Sequence, residues 1–151
     1  MPNRASAGLS SLGSSDGETR SLAAVVVDVQ GVKIAFMTVH LDHRSDVDRR
    51  LQIEQMLAHT KKFEEYPIVF GRDFNMTPDN ENFSLINKQF KTVTDHHPLT
   101  YPQINPTRTL DYILLNERAI ELFDVGRYYA VDEKYASDHL PLIVELSLKK
   151  K

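Results

Sequence analysis

Pro67-Ile68-Val69-Phe70-Gly71-Arg72-Asp73-Phe74-Asn75 is the stretch on which the fold turns. Ile68-Val69-Phe70 is apolar without alternation, as in strands buried on both faces. The chain leaves it through a glycine into two polar residues that stand two apart. Extended spacing points Asp73 and Asn75 to one side while Phe74 anchors the other. A carboxylate beside a neutral amide can orient a water through one and hold a phosphoryl oxygen through the other. The same pair can also close a turn by bonding backbone amides.

Three further segments share this design: Val39-His40-Leu41-Asp42-His43, Leu110-Asp111-Tyr112-Ile113-Leu114 and Ser137-Asp138-His139-Leu140-Pro141-Leu142. Each sets Asp or His at the end of an apolar run that reads as a strand, so their side chains can converge on one edge of a sheet. Asp138 offers carboxylate oxygen, which hard divalent cations prefer, and His139 can donate to a phosphate or move a proton near neutrality. Asp111 interrupts an apolar run and would be costly to bury unpaired, so it needs either a structural partner or a histidine that it orients. His40 ends its strand on the face of Ile34 and Phe36. His43 next to it raises a zinc reading, which the spacing and the absence of cysteine make weak. Asp95-His96-His97 sits in a proline-rich loop without companion aspartate motifs and is read as coincidence or as rim.

Working outward, Leu22–Val29 and Val32–His40 form a hairpin about Gln30-Gly31. Alternation puts Ile34, Phe36, Thr38 and His40 on one face and Ala35, Met37 and Val39 on the other. Ser45 with Asp48 three residues on opens a helix whose Ile53, Met56, Leu57, Thr60 and Phe63 share a face, and Pro67 ends it. A shorter helix is expected over 80–88, a long loop over 95–107, strands over 110–115, 123–130 and 142–148, and a helical turn over 117–122. Strands interleaved with two or three helices imply an α+β sandwich with antiparallel pairs. No Gly-x-Gly-x-x-Gly or Gly-Lys-Ser/Thr loop is present to support a nucleotide-binding doubly wound fold.

The 151 residues suit one domain, with 41% hydrophobic and 26% charged residues, as in ordinary soluble proteins. A formal charge of −3 gives no global footprint for nucleic acid, and the absence of cysteine excludes disulfide and thiolate chemistry. No run approaches the ~20 apolar residues of a membrane-spanning helix, and residues 1–20 lack a signal-peptide core. Location stays open, with a lean toward the cytoplasm. Ser and Gly dominate 1–20, which reads as a disordered tail before a domain over 21–148.

Taken in order, the four segments resemble the endonuclease/exonuclease/phosphatase superfamily, over about Arg20 to Leu148. The resemblance implies a four-layered α/β sandwich, two packed, mainly antiparallel sheets flanked by helices, and phosphoester cleavage dependent on Mg²⁺ or Mn²⁺. It implies that Asp73 positions or deprotonates the attacking water and that Asn75 holds the phosphoryl group. His139 would stabilise charge on the phosphate with Asp111 fixing its tautomer, His40 would stand near the leaving group, and Asp138 would serve the metal. The substrate would be nucleic acid, an inositol phosphate or a phospholipid headgroup.

Three departures qualify the match. The family's N-terminal part, with a strand ending in Asn and another ending in a metal-binding Glu, has no counterpart in residues 1–21. The chain is therefore also readable as a silent half-domain that folds by pairing with a second copy or with a separate first half. Arg72 stands where the family has a second glycine, and Val39 where threonine is common.

Overall fold

The computed structural model describes residues 6–15 and 17–150, except the side chains of Ser6, Ala7 and Arg72. Among the described residues eight strands and three α-helices follow one another: β1 (Ser6–Leu12), β2 (Arg20–Val29), β3 (Val32–Val39), α1 (Asp46–Thr60), β4 (Ile68–Asp73), α2 (Phe83–Ile86), β5 (Lys91–Thr92), β6 (Asp111–Leu115), α3 (Glu117–Leu122), β7 (Phe123–Ala130) and β8 (Leu142–Leu148). Six strands form one sheet in the order β1-β2-β3-β4-β6-β5, and β7 pairs with β8 in a second. The architecture is the expected α+β arrangement of two sheets with helices.

The hairpin β2–β3 closes on Gln30 and Gly31, both at positive φ, the backbone that a tight two-residue turn demands. Helix α1 begins at Ser45, whose side chain accepts from Asp48 N–H at 3.1 Å. Asp48 does not complete a capping box. Its Oδ1 instead accepts from Ser15 N–H at 2.6 Å and Ser15 Oγ at 2.8 Å. A 3₁₀ turn over Lys61–Phe63 follows the helix before Pro67 starts the run into β4.

Over Ser6–Leu12 the expected disordered tail is corrected to a strand, paired antiparallel with β2 from Ser6↔Val26 to Leu12↔Arg20. A backbone ladder does not depend on side-chain composition, and Leu12 is fully buried. Helix α1 holds the connection to β2 as well: Gln55 Oε1 accepts from Gly13 N–H at 2.8 Å, and Gln52 Nε2 donates to Glu18 O at 3.2 Å. Residues 1–5 and 16 lie outside the described residues. The helix expected over 80–88 is regular only at Phe83–Ile86, and β5 is a strand that the sequence pattern did not suggest.

The large sheet has a different neighbour on each face. On one, Ala24, Val26, Met37, Val39 and Phe70 pack with Ile53 and Met56 of α1 and Phe83 and Ile86 of α2. On the other, Ile34, Val69, Leu115 and Phe123 close against Leu146 and Leu148 of β8. Among the described residues no helix is long and apolar enough to cross a membrane.

Candidate active site

Topology explains why the four segments meet. Strands β3 and β4 are parallel, so His40 and Asp73 leave their C-terminal ends on the same edge. Strand β6 runs against β4 with Asp73 paired to Asp111, so β6 enters from that edge. Directly opposed residues of an antiparallel pair share a face. Two carboxylates are therefore side by side by register alone, an arrangement that costs stability unless cations or protons offset it.

His139, just ahead of β8, stands between the two carboxylates. Its Nδ1 lies 2.7 Å from Asp111 Oδ2, and its Nε2 lies 3.6 Å from Asp73 Oδ2. His40 Nε2 stands 3.4 Å from the same Asp73 oxygen. Asn75 adopts a positive φ of 51°, and its N–H donates to Asp73 Oδ1 at 2.8 Å while its Nδ2 donates to Leu41 O at 2.9 Å. Asn75 thus closes a turn and fixes its own amide beside the carboxylate. The two uses of an Asp-x-Asn pair are not exclusive here.

Burial pushes the Asp73 carboxyl above its ordinary value, and the neighbouring Asp111 adds to this. The Asn75 N–H and the two histidines pull the other way. A carboxylate raised by burial is a better proton acceptor than one in water.

These residues line a cavity of about 870 Å³ that also takes in Asp138. Asp138 is exposed at its rim, with Ser137 Oγ 3.4 Å from its Oδ1, while its backbone oxygen accepts from Gln103 N–H at 2.9 Å. Among the described residues, the ligand-type atoms that cluster within 4.8 Å of one another belong to Asp73, Asp111 and His139. Two opposed carboxylates facing open volume suit a hard divalent cation, which keeps several waters and needs few protein oxygens. Asp73, Asp111 and His139 are the described residues placed closely enough to share such an ion, and Asp138 stands outside that cluster at the rim.

Two candidates stand apart. His43 lines the cavity, but its ring nitrogens lie 3.3 Å from Arg20 and 3.1 Å from Arg44, surroundings that do not suit a zinc ligand. His97 packs its ring edge-on to Tyr112 at 5.8 Å, and burial lowers its pKa. Val39 is buried in the helix-side core, so Thr38 rather than residue 39 brings a hydroxyl to the cavity.

The sequence pattern missed the loop that holds the site together. Buried Thr100 Oγ1 accepts from Leu110 N–H at 3.2 Å and Asp111 N–H at 3.4 Å, while Leu140 N–H donates to Thr100 O at 2.8 Å. One residue thereby ties β6 to the segment carrying His139. Tyr101 packs its ring 4.9 Å from that of His139, and Arg108 lies over Tyr101 at 4.8 Å. Thr100-Tyr101-Pro102 and Arg108 flank the proline-rich turn immediately before Asp111, which is the signal that could have marked them.

Two stacked sheets flanked by helices, with carboxylates and imidazoles gathered at one strand edge, make this an α+β sandwich. More particularly, the chain has the fold of the endonuclease/exonuclease/phosphatase family. A functionally unknown conserved protein from Enterococcus faecalis matches with a TM-score of 0.77 and 20% identity, over 95% of this chain and 66% of that one. A mannosyl-6-phosphatase from Bacteroides thetaiotaomicron gives a TM-score of 0.77 and 18% identity, over 95% and 66%. The human Nocturnin catalytic domain with bound sulfate gives 0.72 and 17%, over 95% and 59%. The chain thus spans about two thirds, or slightly less, of the length of these structures. No protein-family model and no curated protein sequence matches it.

Proposed function

We propose that this chain carries the catalytic edge of a divalent-metal-dependent phosphoesterase. The observation that supports it most is His139 held between two carboxylates, with Nδ1 on Asp111 at 2.7 Å and Nε2 toward Asp73. A protonated Nδ1 donating to Asp111 would fix the tautomer and aim Nε2 into the cavity, the orienting role a buried acid plays for an imidazole. Asp73, with its raised proton affinity, would take a proton from the attacking water. Asn75 would hold a phosphoryl oxygen, His139, as an imidazolium with hydrogen on Nε2 as well as Nδ1, would donate to another as charge builds there, and His40 would serve the leaving-group side. A bound Mg²⁺ or Mn²⁺, to whose site Asp138 would contribute, would supply Lewis-acid charge neutralisation.

The resemblance to a sugar phosphatase, and a cavity lined by few cations, favour a small phosphoester over a long polyanion. Inositol phosphates, phospholipid headgroups and nucleic acid share the same scissile chemistry. The test is hydrolysis of bis-p-nitrophenyl phosphate with Mg²⁺ or Mn²⁺. We expect weak turnover that Asp73→Ala and His139→Ala each lower at least 100-fold, in the range general acid–base groups contribute. Turnover surviving both substitutions would sink the site assignment.

A second reading has its own support. Beyond Ile34 the sheet face opposite the helices is bare: Leu9 is 75% and Phe36 37% exposed, around an apolar groove of about 510 Å³. That groove is continuous with the face on which β8 packs, so the chain would pair with a second copy or with a separate first half and be silent alone. Sedimentation of a monomer at high micromolar concentration would count against self-pairing.

A further inference from the structure

Tyr101 and Arg108 face each other as an isolated antiparallel bridge across the turn at 102–107. Arg108 N–H donates to Tyr101 O at 2.9 Å, and Arg108 O accepts from Thr100 N–H at 2.9 Å and Tyr101 N–H at 3.0 Å. The backbone of Arg108 is thus fixed although its side chain is exposed. Its guanidinium carbon lies 4.8 Å from the Tyr101 ring centroid, and that ring touches His139. No ion pair among the described residues involves Arg108. Arg108 is also the only Lys or Arg among the described side chains that line the catalytic cavity.

An exposed arginine with an ordinary role would be solvated and mobile, or paired with a carboxylate. This one is placed by its backbone, stacked on an aromatic face and aimed at a cavity whose floor is acidic. A guanidinium is weakly hydrated, stacks on rings and offers a planar fork that matches two phosphate oxygens. The stacking itself is a modest attraction at an exposed site, but it reduces the freedom lost on binding.

We propose that Arg108 is the anion anchor of the cavity. Its fork binds the phosphate group of a phosphoester entering over Tyr101, and Tyr101 is the positioning residue that holds the fork in place. This rests on the phosphoesterase reading for its ligand class and adds a binding residue that the strand-end motifs do not contain. Lysine would retain the charge without the stacked plane, so the anchor distinguishes cation from fork.

The experiment titrates inorganic phosphate into the isotopically labelled chain in Mg²⁺ buffer and follows the Arg108 Nε–H and His139 ring resonances. Saturable shifts of both are expected. Arg108→Gln should raise the dissociation constant about tenfold, and Arg108→Lys should raise it about threefold. Tyr101→Phe should bind like the parent, whereas Tyr101→Leu should fall to the lysine variant's level. Thermal melts of each variant establish that it is folded. Where turnover is measurable, the Arg108→Gln loss should fall mainly in KM, as expected for binding shared by ground and transition states. Absence of saturable phosphate binding, or binding by Arg108→Gln within twofold of the parent, overturns the anchor. Equal affinity for Tyr101→Leu and the parent overturns the positioning role. The two readings separate cleanly: phosphate binding through Arg108 without hydrolysis leaves the anchor and removes the phosphoesterase, and hydrolysis with parental KM in Arg108→Gln does the reverse.

Discussion

The two ends of the six-stranded sheet are dressed differently. At β4 and β6 both faces are covered, by α1 and α2 on one side and by α3, β7 and β8 on the other. At β1 and β2 the helix side is closed, but Leu9, Val27 and Phe36 remain open to solvent on the opposite side. The candidate site stands at the doubly covered end, where Asp73 can be buried and its proton affinity raised. Among the described residues the bare end carries no cluster of metal-ligand-type side chains, and its groove is lined mainly by apolar residues. Thr38 lines both the groove and the cavity of the candidate site, so whatever covers the groove would border that site.

The largest effect that would sharpen this contrast comes from truncating the packed layer. Phe123→Ala, which removes a ring buried between the sheets, should cost about 3–5 kcal/mol by chemical denaturation. Phe36→Ala, on the same face but bare, should cost well under half as much in a monomer. Equal losses would mean that the groove is covered in solution, and a concentration-dependent Tm would identify self-pairing as the cover.

A smaller and opposite effect is expected at the site. Because the folded-state pKa of Asp73 lies above its unfolded value, the native state holds the proton more firmly. The associated stability is present at acid pH, below the unfolded value, and is lost as pH rises through the raised folded value. Asp73→Asn should therefore abolish turnover yet stabilise the metal-free protein at neutral pH by about 1 kcal/mol, a Tm rise of roughly 2–4 °C for a chain of this size. A lower Tm for Asp73→Asn would mean that its contacts with Asn75 and the histidines outweigh burial.

Much of this was legible in the residues. His40, Asp73, Asn75, Asp111 and His139 each end or begin an apolar run, and the pairing of those runs delivers them to one cavity. Strand β1 was hidden because Ser-Gly composition resembles a linker, whereas its ladder to β2 is made by backbone and its tether by Asp48 and Gln55 far along the chain. Thr100, Tyr101 and Arg108 were hidden for another reason. Their roles arise when a turn folds back on itself, and no local periodicity records that. The bare groove was visible only as an expectation of uncovered edges, since exposure belongs to packing and not to any one segment.

The pairing of Asp73 with Asp111 has a consequence for how this chain can change over generations. Side chains alternate faces along a strand, so one residue inserted within β6 after Asp111 would turn that carboxylate away from its partner. Residues added at the exposed tip near Ile104 and Asn105 would leave that alignment untouched. The chemistry is thus sensitive to insertions counted by ones within the strand, while the rim above it is free to lengthen and to diversify what it admits.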